Sequence, residues 1–322
     1  MSEFLAYRFP NQDVKKFSGT WIDVSPQEFD INNTHFVLTD FNTSTFSVFQ
    51  EKSDLKVISI PTLGKSKEVS ISKEIYLDEL ESTMHKMKEQ HVDKMIFSRI
   101  KSVNSKSIDY NVVFEQLLEQ YSTAFVYFLY AEKWGCWMGA SPEILLEQDL
   151  ASNFKTVALA GTLPKGDEAW SEKEKVEQQY VSDYIEEIIV RNGKLTSKSL
   201  PTEKNAGPVK HLQTAFDFEL KQDAILQFIK EIHPTPAVCG VPLNKAKFII
   251  HQVEKHERSL YTGFLGNLGG QKTTLYVNLR CMQCFDETLD LYVGGGITKD
   301  SIPEKEWEET ERKAETLIQA IR

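Results

Sequence analysis

The sequence predicts an α+β protein built on largely antiparallel sheet. Strand-length runs rich in β-branched and aromatic residues recur along the chain, several of them joined by short turns. Helical patterns fall in groups between these runs instead of after every strand, which argues against regular βαβ alternation. No internal repeat or low-complexity linker divides the 322 residues, so residues 1–322 are read as one unit.

In chain order, residues 1–75 read as short strands, HFVLTDF, TFSVFQ and KVISI, and 76–92 as an amphipathic helix. KMIFSRI is a strand, 109–121 a helix, and FVYFLYAEKWGCWMGASPEILLEQ a hairpin of strands. KTVALAGTLP is a strand running into a turn, followed by a long helix over about 171–192. NGKLTSKS and TEKNAGP look like loops, 217–231 looks helical, and HPTPAVCGVP is a Pro/Gly turn. A helix over 243–257 precedes the strands of YTGFLGNLGGQKTTLYVNLRCMQCF and LDLYVGGGI. The last helix covers about 303–321, with Pro303 in its first turn and Ser301 and Glu304 spaced as a capping box.

Composition narrows the function. With 41% hydrophobic and 26% charged residues the chain is globular and holds a sizeable core. A net charge of −10 argues against nucleic acid as partner, since phosphate binding needs a basic surface. The opening MSEFLAYRFP lacks the pattern of a signal peptide, and no apolar run reaches the roughly 20 residues that span a membrane. Four cysteines in a chain this long make no disulfide framework, so a reducing cytoplasm is expected. Cys281 and Cys284 lie three apart on a predicted strand and face opposite sides, with no second pair to complete a zinc site. The sequence around them reads as two strands with a turn at Asp286 and Glu287.

The chemistry starts from misplaced carboxylates. At about 100° per residue, Val181, Tyr184, Ile185 and Ile188 form the apolar stripe of the 171–192 helix, and Glu177 points into it. On the terminal helix Trp307, Ala314, Leu317, Ile318 and Ile321 form the buried face, Glu306 stands at its edge and Glu309 one step beyond. Glu308, Glu311, Arg312 and Glu315 point away. Buried carboxylates are costly unless paired or bound to metal. One reading pairs Glu177 with an arginine and Glu309 with Lys313; the other sets Glu177 and Glu309 across a shared Mg²⁺. YVGGGITKDS reads as a strand ending in glycines, either a tight turn or a backbone cradle for an anion before a helix N-terminus. Gly161 and Thr162 close another strand, Glu143 follows a Ser-Pro turn, His211 is ambiguous, and Lys94 heads an apolar strand where it could merely snorkel.

Together KMIFSR, GASPEILL, ALAGTLP, KVEQQYVSD, KHLQT, HPTPAVCGVP, ERSLYTGFLG, the arginine of VNLRC and LYVGGGITKDSIPEKEWEETERKA resemble the chorismate-utilising enzymes. That family includes isochorismate, salicylate, anthranilate and aminodeoxychorismate synthases. The resemblance runs from Lys94 to the C-terminus; residues 1–75 match weakly and are short for the family. It implies two interleaved halves of largely antiparallel sheet with outer helices. By position it implies a Mg²⁺ site of Glu177 and Glu309 with Glu306 near. It further implies carboxylate binding by Arg280, Lys313 and the backbone at Gly294 and Gly295, helped by Gly161, Thr162 and Tyr261, with His211 near the ring. Ser259 stands where the family commonly has glycine, and Gln178 where several relatives have His or Asn.

Within the family, Lys94 resembles the lysine of water-using members, and Ala160 replaces the nucleophilic lysine of aminodeoxychorismate synthases. The implied reaction is chorismate to isochorismate. Lys94 is the general base toward a water attacking C2, and Glu143 the acid for the departing C4 hydroxyl. A salicylate synthase, which carries the product on to salicylate and pyruvate, is the alternative; a catalytically inactive chorismate-binding paralogue is the other. No glutamine amidotransferase partner is implied, a monomer is expected, and the product would serve menaquinone or siderophore biosynthesis, with the quinone favoured.

Overall fold

The structure, a computed structural model, describes residues 3–68, 70–150, 152–166, 169–206 and 209–322. Its elements in chain order are β1 (Glu3–Arg8), β2 (Lys15–Val24), β3 (His35–Thr39), β4 (Phe46–Asp54), α1 (Lys73–Gln90), β5 (Lys94–Asn104), α2 (Tyr110–Gln120), β6 (Phe125–Ala131), β7 (Gly135–Ser141), β8 (Ile144–Leu150), β9 (Asn153–Pro164) and α3 (Glu172–Asn192). There follow β10 (Lys194–Lys198), β11 (Thr202–Ala206), β12 (Val209–Glu219), α4 (Ile225–Ile232), β13 (Gly240–Val241), α5 (Leu243–Val253), β14 (Phe264–Leu268), β15 (Thr274–Val277), β16 (Cys281–Cys284), β17 (Thr288–Thr298) and α6 (Pro303–Ile321).

The strand pairings among described residues are all antiparallel and trace one ribbon. Half of it runs β13–β5–β17–β16–β7–β6–β1. The other half runs β4–β3–β14–β15–β8–β9–β12, with β10 and β11 both on β12. Strand β2 pairs with β1 and with β4 and so joins the halves. Each half draws strands from early and late in the chain, the interleaving that the family resemblance implied.

Side-chain alternation distributes the core. The inner faces of both halves meet in a shared layer that includes Leu5, Phe36, Phe125, Trp137, Leu265 and Tyr292. The outer face of one half is covered by α2 and α6, that of the other by α3 and α4, and α1 and α5 cover the head of β5. Each large apolar side chain so buried contributes about 1.5–3 kcal/mol. Cys281 belongs to the inner layer and Cys284 to the outer one, so the pair does face opposite ways, as free buried thiols.

Several local expectations are corrected. Residues 194–198 and 202–206 are strands, not loops; their polar sequences form an exposed edge sheet whose regularity comes from pairing with β12. Gly207 and Pro208 lie outside the described residues. Residues 217–219 finish β12, and the helix begins only at Ile225. KVISI is not a strand, though Ile58 is buried, and β1 and β2 were not foreseen. The stretch from Leu275 to Val293 holds parts of three strands, because Arg280 takes a left-handed φ of 49° and breaks the first run. The Ser301–Glu304 capping box does not form: Ile302 is the cap residue, and the Ser301 hydroxyl accepts the Thr298 N–H. Trp307 is half-buried and stacks on Arg99, whose guanidinium lies 3.9 Å from the ring centre. Glu311, expected to face water, is ion-paired with Arg99 and Lys101.

Candidate active site

Strand β17 is the floor on which the site is assembled. Its three glycines do not end the strand in a turn; they sit within it, Gly294, Gly295 and Gly296 opposite Ser98, Phe97 and Ile96 of β5. Their use is the missing side chain. A Cβ on Gly296 would lie 2.2 Å from Glu177 Oε1 and 3.3 Å from Lys94 Cε. One on Gly295 would lie 3.2 Å from Glu306 Oε2 and 3.8 Å from Glu309 Oε1, and one on Gly294 2.9 Å from the Tyr261 hydroxyl. Carboxylates from α3 and α6 thus approach two adjacent glycines from opposite faces of the strand, Glu177 at Gly296 and Glu306 with Glu309 at Gly295.

Lys94 stands beside them at the head of β5 and is wholly buried, which rules out snorkelling. Its ammonium lies 3.1 Å from Glu177 Oε1, so the buried partner of Glu177 is this lysine and not an arginine. The wheel of α3 could show that Glu177 needed a partner, but not which strand would supply it. Glu309 pairs with Lys313 at 2.8 Å, as its spacing suggested, and Lys313 also donates to the Gly294 carbonyl at 2.8 Å. The third pair was not foreseen: Lys173 Nζ donates to Glu306 Oε1 at 2.6 Å. Its signal was present, since Lys173 stands four residues before Glu177.

These ion pairs set the charges. Burial opposes ionisation of Glu177, but Lys94, then Lys173 and Lys313, hold its pKa below the ordinary value. Burial and the adjacent Glu309 raise the pKa of Glu306. Against the cost of its own burial, Glu306, then Glu177 and Glu309, raise the pKa of Lys173.

A cleft of about 750 Å³, partly open to solvent, lies on the face of this floor toward which Gly294 and Gly296 point. Glu143, Gly161, Thr162, Glu177, His211, Tyr261, Arg280, Gly294 and Lys313 line it; Lys94 stands next to it, beside Glu177 at Gly296, and Glu306 and Glu309 stand on the opposite face of the strand, at Gly295. Glu143, between β7 and β8, is 3% exposed, and burial pushes its carboxyl up to about 8 against the opposing pull of Lys94 and Lys313. His211, on β12 beside Thr162 of β9, donates from Nδ1 to the Gly161 carbonyl at 3.1 Å. Its Nε2 then accepts from Arg280 Nη2 at 3.2 Å. Burial first, then Arg280 and Lys313, push His211 down to about 3, so the ring is neutral. Burial lowers Arg280 to about 10, and it stays a cation at neutral pH. Ala160 presents only a methyl group to the cleft.

Among the described residues, no group of three or more His, Cys, Asp or Glu side chains stands ready as a metal-ligand set. The donor chemistry nevertheless fits a hard divalent cation. Glu306 Oε2 is buried without a hydrogen-bond partner among the described residues, and with Glu309 Oε1 it borders the space left by Gly295. Carboxylate oxygens are what magnesium takes.

A family model described as chorismate binding enzyme matches residues 32–322. The chain belongs to the chorismate-binding enzymes. It is 29% identical over 242 residues to isochorismate synthase EntC of Escherichia coli, covering 70% of this chain and 62% of that protein. It is 28% identical over 267 residues to isochorismate synthase MenF of Bacillus subtilis, covering 78% of this chain and 56% of that one. It therefore spans about three fifths of the length of these curated relatives. Among solved structures, MenF, the menaquinone-specific isochorismate synthase of Escherichia coli, superposes with a TM-score of 0.83 at 19% identity over 100% of this chain and 89% of that one. A Bacillus anthracis protein described as an isochorismate synthase specific for 2,3-dihydroxybenzoate gives 0.82 at 23% over 99% and 96%. The chorismate-binding enzyme is thus an α+β protein of this fold, and no helix among its described residues is long and apolar enough to cross a membrane.

Proposed function

We propose that this chorismate-binding enzyme is an isochorismate synthase that converts chorismate to isochorismate with Mg²⁺. The observation that carries the reading is the pair of Lys94 and Glu143. Both are buried, Glu143 lines the cleft, Lys94 stands next to its wall beside Gly296 and Glu177, and Glu143 keeps its proton up to about pH 8. An acid and a base held apart in one site can serve one reaction. Arg280 and Lys313, with the Gly294 backbone, Thr162 and Tyr261, would bind the two carboxylates of chorismate; neutral His211 would lie against the ring. Lys94, once it has released its own proton and with it the ion pair to Glu177, takes a proton from the water whose oxygen bonds to C2. Glu143 gives its proton to the C4 hydroxyl, which leaves as water while the ring double bonds shift. Glu177 and Glu309, with Glu306 beside them, would hold Mg²⁺, whose charge offsets that of the substrate carboxylate. Ala160 offers no nucleophile and the reaction needs no ammonia, so no amidotransferase partner is required.

The test is to incubate the protein with chorismate and Mg²⁺ and separate the products by chromatography with mass detection. A product of unchanged mass but different retention is expected. Salicylate with pyruvate would make it a salicylate synthase, and unaltered chorismate would overturn the enzymatic reading.

A further inference from the structure

A second cavity, enclosing about 1900 Å³ including its open mouth, lies on the far side of α3 and is lined by Lys173, Val176 and Tyr180 with Lys299 and Asp300. Lys173, Val176 and Tyr180 line the second cavity, and Glu177, one turn after Lys173, lines the catalytic cleft. The Lys173 stem therefore approaches from the second cavity, and its ammonium reaches through to Glu306. The exposures record this: the Lys173 side chain is 22% exposed and that of Glu306 only 2%. The first turn of α3 is fixed by a capping box between Ser171 and Glu174, so the lysine starts from a rigid point.

Two oxygens of one carboxylate have been given different surroundings. Oε1 of Glu306 accepts from Lys173, the one cation in ion-pair range of it among the described residues. Oε2 has no hydrogen-bond partner among the described residues and is turned toward Gly295, beside Glu309 Oε1. The other two lysines are engaged elsewhere, Lys94 with Glu177 and Lys313 with Glu309. We propose that Lys173 is a positioning residue for the cation site: by holding Oε1 from behind, it aims Oε2 of Glu306 into the space bounded by Gly295 and Glu309. The proposal rests on the reading of the carboxylate cluster as a divalent-cation site. The alternative is that the ammonium merely fills that site and competes with the cation, which predicts the opposite effect on affinity.

The deciding measurement is Mn²⁺ binding to the whole chain without substrate, followed by electron paramagnetic resonance of the free ion, with thermal melting as the control on folding. Groups that orient a metal ligand typically contribute about 10- to 100-fold in affinity. Lys173→Met is expected to weaken Mn²⁺ binding by about tenfold or more. Lys173→Ala should recover affinity when ethylammonium is added, because the second cavity admits a small amine to the vacated place. Unchanged or tighter binding by Lys173→Met, or no recovery in Lys173→Ala, overturns the proposal. Glu177→Gln separates this from the underlying reading: if it binds Mn²⁺ as the wild type does, or if the wild type binds none, the cation site itself is refuted.

Discussion

Glu143 shows how much one side chain's surroundings decide. Its carboxyl is deprived of water, and the two lysines that favour its charge do not make up the loss. The acid form persists to about pH 8, and turnover that depends on it should fall above that pH, by about tenfold per unit in the limit. A pH–rate profile with no alkaline limb near 8 would remove Glu143 from the role of acid. The same shift bears on stability. The folded pKa lies above the unfolded value, so its contribution is complete below the ordinary carboxylate pKa and is lost as pH rises through about 8. Glu143→Gln should abolish turnover and flatten that part of the stability curve, measurable by chemical denaturation across pH 5–9. Lys94→Ala should also abolish turnover, and should cost about 3–5 kcal/mol because Glu177 is left buried without its partner. A melting temperature equal to the wild type would contradict this. The link of Glu177 to the carboxylates of the terminal helix came from the family resemblance, whereas its oddity was legible from the helical period alone. The identity of its partner was not, because Lys94 stands 83 positions earlier and is brought in only by the β5–β17 pairing. Ser259 is a milder case: its left-handed φ of 47° explains why glycine is common at that place in the family.

At the scale of elements, each strand or helix carries site residues only because a neighbour fixes its height. Gly240 of β13 illustrates this. It has a φ of +153°, and a Cβ there would fall 2.2 Å from the Lys94 carbonyl oxygen and 2.6 Å from the Ala246 side chain. Gly240→Ala should displace the head of β5, lowering stability by about 1–3 kcal/mol and impairing turnover even though residue 240 touches no substrate. Thermal melting and steady-state rates check both halves of that expectation; wild-type behaviour in both would show β5 to be held by other contacts. Helix α6 is tied to the same strand from above, by Arg99 with Thr310, Glu311 and Trp307. Elements with a strong period, such as 171–192 and 303–321, were legible to within a residue or two. The polar strands of residues 194–206 were not, since their order comes from a partner strand and not from their own sequence. The glycines of β17 misled for a related reason: a run that usually marks a turn here marks a close approach of side chains from outside the strand.

The whole molecule is a ribbon whose two halves are stitched at β1, β2 and β4. Strand β1 pairs with β2 on one side and β6 on the other, and its Leu5 and Tyr7 enter the shared inner layer. Removing residues 1–9 should therefore do more than trim an end. It should open a path for water between the halves and replace one cooperative unfolding transition with a broader or earlier one, seen by calorimetry. A truncated chain that melts as sharply and as high as the full one would show the halves to be held without this strand. Residues 32–322 match the family model, and the sequence of residues 1–9 gave no hint of that role, which depends on long-range pairing. The antiparallel α+β character was plain from the spacing of strand runs, whereas the order of strands came only with the fold.

The burial of every thiol has a practical side. Cys136, Cys239, Cys281 and Cys284 are all sealed inside the two halves, so a maleimide dye offered to the native protein should find no attachment point. A single cysteine placed at Lys299, whose side chain is 88% exposed at the rim of the second cavity, would then label alone. The chain arrives already blank for optical work, and a fluorophore there could report on events around α3 without first stripping out any native residue.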